Sequence, residues 1–279
     1  MLTGVSAFSP LLGEVFAIDK LQRKRDFPIG ACDWSINGQA SLNAFDTAKQ
    51  IGLDGIQVSL NSLKDEMHLR DSAMQQEYKE AAKRTGVAIG GLAIGTLNEI
   101  PYKSEARTEQ WVHDSVDVAR ALGVKTVLLA FFSKNDLKND PKGTQIVIER
   151  LKAVAPKAEK AGVTLGLETW LSAPEHMAII DAVGSPAVKV YYDVCNSSVM
   201  GYDIFQEMRD LGTKQICEVH IKENGFLIGQ GKVDMKRVRQ TLDDIGYQGW
   251  LQLEGAVPKG KTMIDSYLEN IKAARQLFG

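Results

Sequence analysis

Residues 187–198, AVKVYYDVCNSS, begin as an apolar and aromatic run and change character at Asp193. The run predicts a buried β-strand over 187–193, with a carboxylate where the strand meets small polar residues. Three other apolar runs change in the same way, and they are TLGLETW (164–170) at Glu168, CEVHIKEN (217–224) at His220 and WLQLEG (250–255) at Glu254. A fold with four such strands has to bring their polar ends to water or to one another.

The rest of the chain from Pro28 onward alternates short apolar runs with longer segments of helical periodicity. Strands are predicted at 28–34, 55–60, 87–95, 125–132, 164–168, 187–193, 215–222 and 250–254. Helices are predicted between them at 41–51, 71–85, 108–122, 143–161, 174–183, 203–211, 233–245 and 262–277. Strands this apolar are typical of parallel sheets buried under helices. Eight strand–helix units favour an α/β fold, a single closed (βα)8 barrel, over an open doubly wound sheet.

Composition argues against several classes of binding partner and structural site. It has 279 residues, 44% hydrophobic and 24% charged, with a net charge of −2, so no bulk charge favours nucleic acid or an anionic membrane. Cys32, Cys195 and Cys217 form no CxxC pair, which argues against a disulfide framework or a zinc ribbon. No apolar run approaches the roughly 20 residues that span a bilayer. We therefore expect neither nucleic acid nor a membrane as a partner, and leave open whether the chain forms a homo-oligomer.

The first 27 residues are predicted to be an N-terminal extension, ahead of one barrel domain at 28–279. They begin with small and apolar residues and then turn basic. Residues 1–17 resemble the apolar part of an export signal but lack a basic start. An ordered arm packed on the barrel is favoured over an export-signal remnant. The location stays open between the cytoplasm, which this preference favours, and the periplasm.

The polar strand ends point to a metal site. In (βα)8 barrels the functional groups stand at the carboxyl ends of the strands, and the last four strands are neighbours. Glu168, Asp193, His220 and Glu254 are therefore expected to converge, although each acid taken singly could cap a loop or join an ion pair. Three ionised carboxylates do not crowd together without a cation. With an imidazole they suit one divalent ion, Mn²⁺, Mg²⁺, Co²⁺ or Zn²⁺.

Five motifs carry a resemblance to a known family, and they are GLE (166–168), YYDVCN (191–196), VHIKEN (219–224), GQGKVD (229–234) and LQLEG (251–255). From about Ile29 to Gly279 the chain resembles the xylose isomerase-like TIM barrels. That family includes ketose 3-epimerases, hydroxypyruvate isomerases, inosose dehydratases and apurinic endonucleases. The resemblance implies one catalytic divalent metal with four ligands, Glu168, Asp193, His220 and Glu254. It also implies that Glu168 and Glu254 are the catalytic acid/base pair.

The implied activity is that of a metal-dependent sugar isomerase or epimerase of carbohydrate metabolism, with manganese among the candidate ions. A metal on a carbonyl oxygen and its neighbouring hydroxyl makes the adjacent carbon acidic, and a carboxylate then removes its proton to give a metal-stabilised enediolate. Proton return on the opposite face is epimerisation, and return to the neighbouring carbon is isomerisation. The alternatives are an inosose-dehydratase-like lyase and a non-catalytic sugar-binding barrel. A histidine-rich multi-zinc endonuclease site is disfavoured, because the chain has only four histidines.

Five residues near the strand ends are candidates for substrate binding. Lys222 is two residues past His220, so both side chains are expected on one face, with pairing to the adjacent Glu223 as the alternative. Asn196 follows the acid of strand 6, with capping of the loop as the alternative. Trp34 and Trp170 offer aromatic faces to a sugar, although core packing is the commoner role of such residues. Glu175 stands near the position where members of the resembled family often carry an acid that contacts substrate.

Two further features of strand 7 bear on the site. Glu218 points the same way as His220 but deeper, as an outer partner of the metal or of a lysine. In the ketose 3-epimerases an arginine follows the HI-x-EN stretch, whereas this chain has Gly225 and Phe226 there. This departure weakens a specific ketose-epimerase assignment and favours a different substrate, such as a modified or glycosidic sugar.

Overall fold

Eight parallel strands form a closed barrel in the order β1 to β8, and β8 pairs with β1 to complete it. The structure is a computed structural model that describes residues 27–66 and 68–279. The predicted α/β barrel is therefore confirmed. Apart from Phe27, the predicted N-terminal extension lies outside the described residues. The structure therefore does not bear on whether this segment is an ordered arm or an export-signal remnant. The domain boundary at residues 27 and 28 stays a prediction.

The strands are short and almost wholly buried, as their aliphatic composition predicts for a sheet covered on both faces. Their bounds are β1 Ile29–Cys32, β2 Gly55–Ser59, β3 Ala88–Ile94, β4 Thr126–Phe131, β5 Thr164–Thr169, β6 Val188–Asp193, β7 Ile216–Ile221 and β8 Leu251–Leu253. All eight predicted strands are present. The first ends earlier than predicted, because the chain turns into a 3₁₀ helix over Asp33–Ile36.

Nine α-helices of the described residues surround the barrel or border its mouth. They are α1 Asn43–Ile51, α2 Ser72–Thr85, α3 Arg107–Leu122, α4 Pro141–Ala161, α5 Ala173–Val183, α6 Val194–Val199, α7 Ile204–Gln215, α8 Met235–Asp244 and α9 Met263–Phe278. Eight correspond to predicted helices. The short α6 was not predicted, because six residues are too few to show a helical period.

Several helices end at glycines, at the positions where the sequence predicts their C-termini. Gly52 follows α1 with a φ of 87°, and its amide donates to the carbonyl groups of Ala48 and Lys49. Gly162 follows α4 in the same left-handed conformation, with a φ of 66°. A residue with a Cβ is disfavoured there. Each helix therefore stops at a defined residue, and the chain turns into the next buried strand.

The barrel interior is partly polar, in contrast to the apolar layer between strands and helices. A small cluster of Ala93, Leu128, Ala130 and Tyr191 packs there, separate from the main core. Three polar side chains that point inward are fully or almost fully buried, and they are Gln57, Glu218 and Gln252. None of the helices in the described ranges has the length and apolar character needed to cross a bilayer.

Candidate metal centre

The four predicted ligands meet at the carboxyl end of the barrel. Glu168 lies in β5, Asp193 ends β6, His220 lies in β7 and Glu254 follows β8. Each offers one ligand atom, and these four atoms all lie within 4.8 Å of one another. The register of the sheet contributes to this arrangement, since Asp193 pairs with His220 across β6 and β7. The expected convergence is therefore present.

Asp193 has a separate role for each of its carboxylate oxygens. Oδ1 accepts hydrogen bonds from the backbone amides of Cys195 and Asn196, each at 2.8 Å, and so caps the N-terminus of α6. Oδ2 is buried and has no hydrogen-bond partner. Lys222 Nζ lies 2.9 Å from Oδ2 as an ion pair that lacks hydrogen-bond alignment. The cap holds the carboxylate in place and leaves Oδ2 facing the cluster.

His220 presents one ring nitrogen to the carboxylates. Nδ1 lies 2.9 Å from Glu168 Oε1 and 3.8 Å from both Asp193 Oδ2 and Glu254 Oε2. The other nitrogen, Nε2, lies 3.0 Å from Gln57 Oε1 inside the barrel. Because the ring is fully buried, its orientation is set by these contacts and by the Tyr191 ring, which meets it edge-on at 4.6 Å.

Glu254 is held by two donors on opposite oxygens. Trp34 Nε1 donates to Oε1 at 2.9 Å, and Lys222 Nζ donates to Oε2 at 2.6 Å. Burial alone would raise the pKa of Glu254, but the positive charges of Lys222 and His220 outweigh it and lower that pKa to about 2. The neighbouring Glu168 differs, because burial raises its pKa above the usual range.

This donor set fits a divalent cation. Three carboxylates and one imidazole are oxygen and nitrogen ligands of the kind that Mn²⁺, Mg²⁺, Co²⁺ and Zn²⁺ accept. Asp193 Oδ2 is buried without an aligned hydrogen bond, so beside its ion pair with Lys222 it can accept a further partner. The group of Glu168, Asp193, His220 and Glu254 could therefore hold such an ion. The choice among metals stays a prediction.

A cavity of about 460 Å³ opens beside this group. Both Glu168 and Glu254 line it, together with four of the five predicted substrate-binding residues, Trp34, Trp170, Asn196 and Lys222. The Trp170 ring packs edge-on against Phe132, with ring centroids 5.0 Å apart. The cavity thus combines aromatic walls with carboxylates at one end, although the role of each lining residue in substrate binding stays a prediction.

The fifth candidate, Glu175, is placed elsewhere. It does not line the cavity but completes a capping box with Ser172 at the start of α5. Its two oxygens also accept hydrogen bonds from Lys138 Nζ at 2.8 and 2.7 Å. The carboxylate is thus occupied by the helix cap and an ion pair, and a contact between Glu175 and substrate stays a prediction.

Lys222 and Glu218 also have definite partners. Lys222 does not pair with Glu223 but bridges Asp193 and Glu254, and these carboxylates keep its pKa well above the usual range despite burial. Glu218 accepts a hydrogen bond from Tyr191 Oη at 3.1 Å rather than from a lysine. Sequence reasoning missed Gln57, which contacts His220. A polar residue inside the apolar run GIQVSL was the available signal.

Comparison with known proteins agrees with this geometry. The sequence model of the xylose isomerase-like TIM barrel family matches residues 45–277. The chain belongs to that family. Strand β1 and Trp34 lie before the matched range, and β1 pairs with β8 to close the same barrel.

Individual relatives of this xylose isomerase-like barrel are named as sugar epimerases. L-ribulose-5-phosphate 3-epimerase UlaE of Escherichia coli is 24% identical over 245 residues, covering 81% of this chain and 86% of that protein. Among solved structures, D-psicose 3-epimerase from Clostridium cellulolyticum superposes with a TM-score of 0.75 at 17% identity, covering 90% of this chain and 99% of that one. The 3-keto-D-glucoside 4-epimerase YcjR of E. coli has a TM-score of 0.74, also at 17% identity, and covers 90% and 99%. The structural matches are evidence for the fold alone.

Proposed function

We propose that this protein is a divalent-metal-dependent sugar epimerase or isomerase that moves a proton on a carbon next to a carbonyl. The observation that carries the proposal is the placement of two carboxylates, Glu168 and Glu254, both in a four-ligand group and on the wall of one cavity. The sugar-epimerase relatives support an enzyme of this class. A sugar-binding barrel without turnover would not need both acids.

Each residue has a task in this reaction. A divalent ion held by the four ligands supplies Lewis acidity toward the carbonyl and hydroxyl oxygens of the sugar. Glu254 takes or returns a proton on one side of the substrate, with its orientation fixed by Trp34. Glu168 serves the other side, because β5 and β8 stand three strands apart around the barrel. If both glutamates transfer protons, the configuration of a carbon is inverted, which is epimerisation. If only one glutamate does so, the carbonyl moves to the neighbouring carbon, which is isomerisation.

The cavity supports a sugar as the substrate. Trp34 and Trp170 offer flat apolar faces that suit the C–H face of a sugar ring, while Asn196 and Lys222 supply hydrogen-bonding groups. A second cavity of about 340 Å³ shares Trp170, Asn196, Lys222 and Glu254 with the first. This space beyond the carboxylates supports a substrate with a substituent on the sugar, such as the glycosidic sugar that the Gly225 and Phe226 departure favours.

The test is proton exchange in D₂O. Metal-loaded protein is incubated with ketoses, ketose phosphates, aldoses, inososes and keto-glycosides, and exchange of protons next to the carbonyl is followed by NMR. Glu254→Gln keeps the shape of the side chain but removes the base, so the rate should fall by roughly 10²- to 10⁴-fold while substrate still binds. Glu168→Gln should behave in the same way if inversion is correct.

Each other outcome points to a different activity. Loss of water from an inosose would indicate the lyase. Proton exchange that depends on only one of the two acids would indicate one-sided isomerisation. Binding of sugars by the wild-type protein without any exchange would refute the enzyme proposal and leave the sugar-binding barrel. Unchanged turnover after thorough metal removal would refute metal dependence.

A further inference from the structure

A chain of buried polar groups runs from the metal-ligand group into the barrel. His220 Nε2 lies 3.0 Å from Gln57 Oε1, and Gln57 Nε2 donates to Tyr191 Oη at 2.9 Å. Tyr191 Oη in turn donates to Glu218 Oε2 at 3.1 Å. All four side chains are 4% exposed or less. Water therefore does not substitute for these contacts, and each group depends on its neighbour for a partner.

The hydrogen-bonding capacities of these groups link the orientation of the Gln57 amide to the direction in which the Tyr191 hydroxyl donates. The Tyr191 hydroxyl has one proton and can donate it to one partner. When the proton goes to the Glu218 carboxylate, the hydroxyl oxygen accepts from the Gln57 NH₂ group. Gln57 then turns its carbonyl oxygen toward His220. A carbonyl oxygen only accepts, so the partner nitrogen, Nε2, must carry a proton.

We infer that Gln57 is a positioning residue that keeps the proton of His220 on Nε2 and so presents the Nδ1 lone pair to the cation. Nδ1 is the nitrogen that faces Glu168, Asp193 and Glu254, at 2.9, 3.8 and 3.8 Å. A metal-bound imidazole usually has its other N–H held by an acceptor, which sets both the tautomer and the ring orientation. The inference rests on the metal site of the proposed function.

Cys32 is the competing partner for the same N–H. Its Sγ lies 3.3 Å from His220 Nε2 and 3.5 Å from Gln57 Oε1. A thiol is a weak acceptor, whereas an amide oxygen is a strong one. The thiol can donate to Gln57 Oε1, which is a second reason for the oxygen to face this side.

The opposite direction of the chain makes a different prediction. If Glu218 carried a proton and donated it to Tyr191, then Tyr191 would donate to Gln57, and the amide NH₂ would face His220. The imidazole proton would then lie on Nδ1, against Glu168, and no lone pair would face the carboxylate cluster. The two directions are distinguished by which ring nitrogen carries hydrogen once the metal is bound.

The experiment uses Zn²⁺ as the probe and compares five forms of the full-length protein. They are the wild type, Gln57→Met, Gln57→Glu, Gln252→Met and Cys32→Ala. Gln57→Met removes the acceptor at similar volume, and Gln57→Glu retains an oxygen there. Gln252→Met is the matched control, because Gln252 is also an interior glutamine with no exposure, lies beside His220 on β8, and forms no hydrogen bond with His220 or Gln57.

Two readouts are measured. The dissociation constant for Zn²⁺ is obtained by competition with a chromophoric chelator, and the protonated ring nitrogen of His220 is identified in Zn²⁺-loaded, ¹⁵N-histidine-labelled protein by two-bond ¹H–¹⁵N correlation. The wild type and Gln252→Met should carry hydrogen on Nε2. The Gln57→Met variant should bind Zn²⁺ about 10- to 100-fold more weakly than the wild type. The proton on Nε2 of His220 should also exchange with water faster in this variant. Gln57→Glu should recover most of the affinity.

Several results would overturn the inference. They are a wild-type imidazole protonated on Nδ1, no Zn²⁺ binding by the wild type, an unchanged affinity in Gln57→Met, or an equal loss in Gln252→Met. A loss in Cys32→Ala without one in Gln57→Met would assign the role to the thiol. The proposed function fails separately: a protein that binds Zn²⁺ with this pattern yet exchanges no sugar protons would refute the reaction and leave the role of Gln57 intact.

Discussion

Replacing Asp193 with asparagine should separate metal binding from helix capping. The side chain uses Oδ1 for the backbone amides of Cys195 and Asn196 and leaves Oδ2 without a hydrogen bond. Asparagine keeps an oxygen for the cap but replaces Oδ2 with an NH₂ group, which cannot bind a cation. Asp193→Ala removes both functions. The two variants should therefore differ in stability without metal and resemble each other in their lack of response to metal.

The magnitude follows from linkage between binding and folding. At a metal concentration of 100 times Kd, the wild type should gain about 2.7 kcal/mol, which for a barrel of this size corresponds to a Tm increase of about 5–11 °C. Loss of a direct ligand should weaken binding by at least the roughly 100-fold upper value for loss of an outer partner. At the same metal concentration Asp193→Asn then gains about 0.4 kcal/mol or less, close to 1 °C.

The assay is thermal unfolding with and without Mn²⁺ or Zn²⁺, followed by circular dichroism. Without metal, Asp193→Ala should unfold at a lower temperature than Asp193→Asn, because loss of a helix cap costs about 1 kcal/mol. Lys222 keeps Glu254 as a partner in both variants. A metal-dependent Tm increase in Asp193→Asn equal to that of the wild type would refute the assignment of Asp193 as a ligand.

Three other substitutions test separate parts of the structure. Trp34→Phe keeps an aromatic wall but removes the donor to Glu254 Oε1, so kcat should fall by about 10-fold or more with a smaller change in KM; equal kcat would contradict this role. Glu175→Ala should cost about 0.5–2 kcal/mol in unfolding and leave kcat unchanged, whereas a loss of activity would return Glu175 to the site. Burial lowers the pKa of His176 from 6.5 to about 4. The unfolded chain therefore binds a proton first as pH falls, and about 3 kcal/mol of stability should be lost between pH 6.5 and 4; His176→Gln should reduce this pH dependence in denaturant titrations.

The fold was predictable because the residues that begin and end its strands and helices form local sequence patterns. Each buried strand is a short apolar run, and glycines such as Gly52 and Gly162 stop the preceding helices at the predicted residues. The error at the end of β1 has a long-range cause. The Asp33 carboxylate accepts hydrogen bonds from the amide and hydroxyl of Ser59, both at 2.7 Å, and the chain turns there into a 3₁₀ helix. A contact between residues 26 positions apart leaves no local pattern.

The convergence of the four candidate ligands was predictable from the sequence, but several contacts that hold them in place were not. Polar residues that end consecutive core strands must face the barrel mouth, so Glu168, Asp193, His220 and Glu254 could be found by position alone. The contacts of Gln57 and Trp34 could not, because each depends on the register of strands far apart in the chain: Gln57 meets His220 across 163 positions and Trp34 meets Glu254 across 220.

The contacts of Lys222 change the argument for a metal. From the sequence, three carboxylates implied a cation, because like charges do not gather without one. The structure places an ammonium among them, 2.9 Å from Asp193 Oδ2 and 2.6 Å from Glu254 Oε2, so a lysine already meets part of that need. Crowding alone therefore no longer requires a metal. A metal is favoured instead by the orientation of the donor atoms. Asp193 Oδ2 has no aligned hydrogen bond, and Nδ1 of His220 faces the same group of oxygens while Nε2 contacts Gln57. Lys222 pairs with two of the carboxylates, whereas a divalent ion would also bind the imidazole nitrogen that faces them.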